Sequence, residues 1–393
     1  MTFTGLPPEA VPALMTGAIA PHSTVEGRAE AYLPSPCIQN HAANLAFLPD
    51  STLTCVWFGG TMEGMGDISI YMSRLAPGSQ RWSEPEKMSD DPEKSEQNPL
   101  IFKAPDGKIW LLYTSQTSGN QDGSVVKCRI SDDGGETFGP VRILCDRPGT
   151  FVRQQIVVNG KGDWLLPVFR CVGLNGQRWS GDADTSAVLI SRDGGASWQM
   201  RDIPDSLGAV HMNILPLGGD DMIAFYRNRF AENILSSRSS DGGETWSAPA
   251  PTDLPNNNSS IQATILNDGG IAMVYNHSNA GMSDARRQSL YDEIEGSEAG
   301  ETAVVADNSR KAVWGVPRAP LSLAISRDGG RSFPHRVDLD TGDGFCLSNN
   351  SKDSLNREFS YPSIVGSDGT LHIAYTYYRR AIKYISLAPQ SLP

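Results

Sequence analysis

One short pattern, Ser-x-Asp-Gly-Gly-x-(Thr/Ser)-(Trp/Phe), recurs along the chain and constrains its fold more than any other feature. It stands at residues 131–138, 191–198, 239–246 and 326–333, with a worn copy at 73–82. Each intact copy follows a short apolar run, such as 187–190 or 323–325. An apolar run, Asp-Gly-Gly and then an aromatic residue reads as a strand, a tight turn and a second strand.

A second turn signal interleaves with the first. Asp-Gly or a near equivalent occurs at Asp50-Ser51, Asp106-Gly107, 160–163, Gly218-Gly219, Asp268-Gly269 and Asp368-Gly369. Each is followed by a strand-like run, and most are preceded by another. The order is strand, Asp-Gly turn, strand, strand, boxed turn, strand: a four-stranded antiparallel unit. Units recur roughly every 55 residues, with one interval of about 100. That long interval holds residues 278–316, a polar stretch that reads as an insertion in the fifth unit, with a helical part expected at 284–294. The sixth unit lacks a box and offers one further apolar run, 382–387, so residues 24–33 are expected to supply its last strand and close a ring. The expected fold class is all-β: a six-bladed β-propeller of four-stranded antiparallel blades, one domain over residues 1–393. No apolar period of 3.6 is sustained, which excludes a helical solenoid. Two stacked sandwiches would leave the even spacing unexplained.

Charge narrows the partners. Asp and Glu number 45 against 33 Lys and Arg, a formal charge of −12, with no basic run. That balance argues against nucleic acid or an anionic membrane as partner. No apolar stretch of about 18 residues is present. Residues 1–20 show no basic segment followed by an apolar one, so a cytoplasmic location is expected. The six cysteines (Cys37, Cys55, Cys128, Cys145, Cys171, Cys346) form no Cys-x-x-Cys pair. They are expected reduced and buried, and neither a metal nor a cofactor is expected.

A propeller gives function a predictable address. The first strand of each blade lines the central channel, and its entry end meets the other five at one mouth. Those positions hold His41, Gln97 and Asn98, Arg153, His211 and Asn213, Asn258 and Ser259, and Tyr361. The far end of each second strand returns to the same mouth with Glu63, Gln116, Arg170, Arg227 and Arg229, Asn276 and His277, and Arg379 and Arg380. Arg318 enters the third strand of blade five. Arg379 and Arg380 are adjacent, so one should face solvent, and neither is taken as a site residue. Arginines gathered at one mouth of an acidic protein point to a bound carboxylate.

The boxed turns resemble the Asp boxes of sialidases and related propeller proteins, over nearly the whole chain. The boxes themselves are structural: their Asp caps the turn and their aromatic residue packs between strands. The resemblance implies arginines for a substrate carboxylate, a tyrosine nucleophile paired with a glutamate, and an aspartate acid/base. Arg227 and Arg318 match two of the arginines, with Arg153 as a helper. Tyr361, in Phe359-Ser360-Tyr361-Pro362-Ser363, resembles the nucleophile. Three positions depart: His41 stands where the family has its first-blade arginine, His211 where it has the paired glutamate, and Glu63 replaces the acid/base aspartate.

Three activities are compatible with these residues. One is a glycoside hydrolase cutting the terminal bond of an acidic oligosaccharide. Tyr361 would be the nucleophile, His211 its base and Glu63 the acid/base, while Arg227, Arg318 and Arg153 hold the carboxylate and Asn98 and Asn258 line the substrate. Another is a lyase acting on a uronate, with His41 or His211 taking the C–H proton and Tyr361 protonating the leaving group. The last is a glycan-binding propeller without catalysis. In both enzymes Tyr361 and His211 are expected within hydrogen-bond reach.

Overall fold

The second strands of the blades, such as Ile109–Thr117 and Ile271–Asn276, read as nearly unbroken apolar runs because each sheet is covered on both faces. The structure is a computed structural model that describes residues 8–173, 179–287, 310–342, 346 and 357–388. Among these, six antiparallel sheets succeed one another along the chain. Blade one runs Gln39–Phe47, Leu53–Gly60, Ser69–Leu75 and Glu86–Lys87. The same order, innermost strand first, repeats in blades two to five. Residues alternate between the clefts on either side of a blade. In blade four, Met222, Ala224 and Tyr226 pack toward blade three, while Ile223 and Phe225 pack toward blade five. Six apolar clusters fill the six clefts. Two-sided burial of this kind removes the usual alternation from a strand.

Blade six closes the ring as expected. Its strands Phe359–Ser367, Thr370–Tyr377 and Ala381–Leu387 are completed by Arg28–Tyr32, which pairs with Ala381–Leu387 from Arg28 opposite Leu387 to Tyr32 opposite Lys383. The chain is thus an all-β, six-bladed propeller with four-stranded antiparallel blades. Blade six carries an extra two-residue strand, Ala20–Pro21, on its outer edge.

The boxed turns join third to fourth strands on the outside of blades two to five. In blade three, Asp193 accepts from the Ser197 N–H at 2.8 Å and from the Ser191 hydroxyl at 2.8 Å. The box in blade two repeats this with Asp133, Thr137 and Ser131. Four cysteines are buried, but Cys37 and Cys145 are only half-buried; all six are free thiols. The insertion lies between Ile271–Asn276 and Leu321–Ser326 of blade five. Most of the helix expected at 284–294 falls outside the described residues, and residues 284–287 are not helical. No helix among the described residues is long and apolar enough to cross a membrane.

Candidate active site

The innermost strands do not run straight through the channel. In blades one, two, four and six the pairing register slips, between His41 and Asn44, Gln97 and Leu100, Val210 and Asn213, and Ser360 and Ser363. Blade three splits its inner strand into Thr150–Val152 and Val157–Val158. At these slips Ala42, Asn98, His211 and Tyr361 adopt left-handed backbone, with φ between 51° and 61°. Asn258, just before the inner strand of blade five, does the same at 56°. A bulge re-aims a side chain, and left-handed backbone outside glycine costs about 1–3 kcal/mol, so it persists where the surroundings impose it.

Asn98, His211 and Tyr361 line a common pocket of about 270 Å³, part of it open to solvent. Glu63, Gln97, Gln121, Phe151, Phe169, Arg227 and Arg229 complete its wall. Among the described residues Glu63 is therefore its one carboxylate. Among the described residues no three His, Cys, Asp or Glu side chains gather as a metal-binding group.

Tyr361 is the electrostatic centre. Its hydroxyl accepts a hydrogen bond from Arg227 Nη1 at 2.5 Å. The guanidinium carbons of Arg153, Arg227 and Arg318 lie 5.3, 5.7 and 5.5 Å from its ring centre. Arg227 and Arg318 therefore converge, closer together than the sum of their distances to that ring. Burial alone would raise the phenol. Arg227 and Arg318 outweigh it and hold the Tyr361 hydroxyl below its ordinary range. Arg227 pays for its position: burial, with Arg229 and Arg318 nearby, lowers its own pKa to about 9, although Tyr361 works the other way. Its Nε donates to Asn258 Oδ1 at 2.7 Å. Among the described residues no carboxylate lies within ion-pair distance of Arg227.

The other arginines have partners of a different kind. Arg153 donates to the carbonyls of Ala43, Tyr361 and Pro362 at 3.0–3.2 Å and to Ser260 Oγ at 3.2 Å. It is a buried strut holding three backbone segments together rather than an open ligand. Arg318 donates to Glu358 Oε1 at 2.8 Å, so its charge is already balanced. Arg229 is matched by Asp184 at 2.7 Å. Asn258 acts on Arg227 and not on open space.

The two histidines also differ from their expected parts. His211 meets Tyr361 edge-on, with ring centres 5.5 Å apart, and no hydrogen bond joins them. Burial, then Arg227 and Arg229, hold the His211 imidazole well below its ordinary pKa, so it is a weak base; its buried Nδ1 has no partner among the described residues. His41 packs on Tyr361 at 4.2 Å between ring centres and bonds Thr376 Oγ1 through Nδ1 at 2.7 Å. Burial and Arg379 hold it neutral as well.

Glu358 and Arg379 are what the sequence reading passed over. Glu358 Oε1 accepts from Arg318 and, at 3.0 Å, from Arg379 Nε; Arg379 Nη1 then bonds Glu63 Oε2. One of the adjacent pair does turn outward: Arg380 caps the Ile38 carbonyl near the surface. Its neighbour Arg379 is buried at the site. Tyr378 and Arg379 form the centre of a tight hairpin turn at φ 50° and 59°, closed by the Arg380 N–H on the Tyr377 carbonyl. Such turns favour Asn-Gly, so a Tyr-Arg pair there is the signal that contacts elsewhere hold it.

The profile of a family described as BNR repeat-like domain matches residues 51–373. No curated protein matches the chain by sequence. Among solved structures, Hadza microbial sialidase Hz136 is 13% identical, with a TM-score of 0.66 over 91% of this chain and 67% of its own. A protein of unknown function from Dyadobacter fermentans is 15% identical, with a TM-score of 0.65 over 93% and 100%. The NanB sialidase of Streptococcus pneumoniae is 12% identical, with a TM-score of 0.65 over 96% and 71%. At these identities the likeness is one of fold.

Proposed function

The chain belongs to the BNR repeat-like domain family, and on that premise we propose that it cleaves the terminal glycosidic bond of a carboxylate-bearing glycan, with Tyr361 as nucleophile. One observation carries the reading. A buried phenol accepts a hydrogen bond from a buried arginine that has no carboxylate of its own among the described residues. Such an arginine favours two anions: the phenolate, and a substrate carboxylate laid against it. Activation then comes from positive charge rather than from a base on the hydroxyl. Within the pocket they share, the Tyr361 phenol proton passes to Glu63 as the phenolate forms; the Tyr361 oxygen attacks the anomeric carbon, the glycosidic C–O bond breaks, and Glu63 gives that proton to the leaving oxygen. Water attacks the glycosyl-tyrosine, loses its proton to Glu63 and releases the sugar and the phenolate. Structures named as sialidases share this fold, which supports an acidic sugar as substrate.

The unpartnered Nδ1 of the neutral His211 favours a second reading. There it takes the C–H proton beside a uronate carboxylate, Tyr361 protonates the leaving oxygen, and the product is an unsaturated sugar. Aryl glycosides of carboxylate-bearing and neutral sugars, assayed beside a 4-O-linked oligouronate whose C4 oxygen can leave, separate the possibilities. The hydrolase releases the aryl alcohol from the charged series, loses at least about 100-fold in turnover in Tyr361→Phe, and recovers part of it with azide. Unsaturated product without azide rescue identifies the lyase. Full activity in Tyr361→Phe would overturn both.

A further inference from the structure

The wall behind Arg227 is built by a part of the chain that does not belong to its blade. Residues 310–316, the end of the blade-five insertion, reach past blade four to the loop of blade three around residue 182. Asp182 fastens them there. Its carboxylate accepts from the Ala312 N–H at 2.8 Å and from Lys311 Nζ at 3.1 Å. Trp314 Nε1 donates to the Ser180 carbonyl at 3.1 Å. Gly181 leaves room for the indole, since a Cβ there would sit 3.0 Å from Trp314 Cζ2.

The inner side of this segment touches Arg229 and Asn258. The Val313 N–H donates to the Arg229 carbonyl at 2.8 Å, and the Val313 carbonyl accepts from Asn258 Nδ2 at 2.9 Å. The Trp314 ring lies 5.8 Å from the guanidinium carbon of Arg227 and 5.2 Å from that of Arg229. The bond from Asn258 Nδ2 fixes which way its amide faces. With the nitrogen on Val313, the oxygen must point the other way, where it receives Arg227 Nε at 2.7 Å. Arginine loses much rotamer freedom when held still, and no carboxylate among the described residues holds this one. Its place depends on Asn258 on one side and the Trp314 face on the other.

We propose that the docked segment at 310–316 is a positioning device: through Asn258 and Trp314 it holds Arg227 against the Tyr361 hydroxyl, and undocking it releases the arginine. The inference deepens the reading of Tyr361 and Arg227 as the reacting pair and rests on it for its use, but its test needs no substrate. The charged and titratable groups facing Tyr361 are Arg153, Arg227 and Arg318 against its ring, with His41 and His211 flanking it. Glu63 and Arg229 act on it from farther off.

The experiment is an ultraviolet phenolate titration of the full chain. Subtracting the curve of Tyr361→Phe isolates the Tyr361 step. An opposite charge nearby lowers a pKa by about 1–3 units, so releasing Arg227 should raise the Tyr361 midpoint by about one pH unit or more. Asn258→Gly tests this directly, and glycine tolerates the left-handed backbone. Trp314→Ala should act in the same direction, with Trp314→Phe returning toward wild type. Asp182→Ala is the sharpest variant, because it touches neither Arg227 nor Tyr361. Loss of a negative charge acting through space lowers a phenol midpoint, whereas undocking raises it, so the sign decides. Midpoints that stay put or fall in folded Asp182→Ala and Asn258→Gly would overturn the proposal. A wild type without glycan-cleaving activity would count against the proposed function and leave this titration standing.

Discussion

Glu358→Gln isolates the buried charge network beneath the pocket. The wild-type carboxylate accepts from Arg318 at 2.8 Å, from Arg379 at 3.0 Å and from Ser360 Oγ at 2.6 Å. Glutamine keeps the shape and an oxygen but removes the charge. Arg379 retains Glu63, whereas Arg318 has no other carboxylate among the described residues. The cost is therefore that of one stranded buried charge. Breaking a buried pair costs about 3–5 kcal/mol, and the surviving hydrogen bonds place this variant at about 3 kcal/mol. Urea unfolding followed by tryptophan fluorescence reads this as a lower midpoint at unchanged slope.

The pH dependence of that difference has a fixed sign. Burial would raise the Glu358 carboxyl, but Arg318 and Arg379 outweigh it and hold it well below its ordinary value of 4.5. A folded-state pKa below the unfolded one stabilises above the unfolded value and is lost as pH falls through the folded one. The gap between wild type and Glu358→Gln should therefore be constant from neutral pH down to about pH 5 and shrink in more acid solution. A gap under about 1 kcal/mol at neutral pH, or one that widens in acid, would refute the reasoning.

Three further outcomes follow from the same geometry. Arg227→Lys should raise KM for a carboxylate-bearing substrate by about 10–100-fold, since one charge-assisted hydrogen bond is worth about 1.5–3 kcal/mol and lysine lacks the planar fork; an unchanged KM contradicts the assignment. The kcat/KM profile should show no limb near the ordinary histidine pKa of 6.5, because burial and neighbouring arginines hold His41 and His211 well below it; a limb there that disappears in His211→Asn would show an imidazole titrating in the site. Asp193→Ala should lower the urea midpoint and leave turnover intact, because the box lies on an outer hairpin. Hydrogen bonds from Ser197 and Ser191 hold Asp193 at about 2, so its contribution is complete above the ordinary 3.8 and drains as pH falls toward about 2.

The ring was legible because its signals are local. Asp-Gly-Gly turns and short apolar runs need only neighbouring residues to specify them, and equal spacing supplied the blade count. The closing strand Arg28–Tyr32 could be found because blade six visibly lacked one. Site membership was partly legible, since a polar residue at the same level of each blade is a positional signal; Glu63, Asn98, His211, Arg227 and Tyr361 do line one pocket. Partnership was not. Nothing in the sequence around Arg318 announces Glu358, forty positions on, or distinguishes an arginine that holds backbone, such as Arg153, from one left for a ligand. The left-handed backbone at Tyr361 had no sequence mark either, because tyrosine does not favour it. Arg379 was obscured by its neighbour Arg380, and only the turn geometry separates them.

The account stands on a covalent step at Tyr361, and the most direct measurement is the mass of the peptide that carries it. Wild-type protein would be incubated with activated fluoro-glycosides of carboxylate-bearing sugars, quenched and digested. One glycosyl residue added to the Tyr361 peptide, absent in Tyr361→Phe and reduced in Arg227→Lys, is the predicted result. Turnover of the same sugars with an unlabelled Tyr361 peptide, or labelling that persists in Tyr361→Phe, would contradict it.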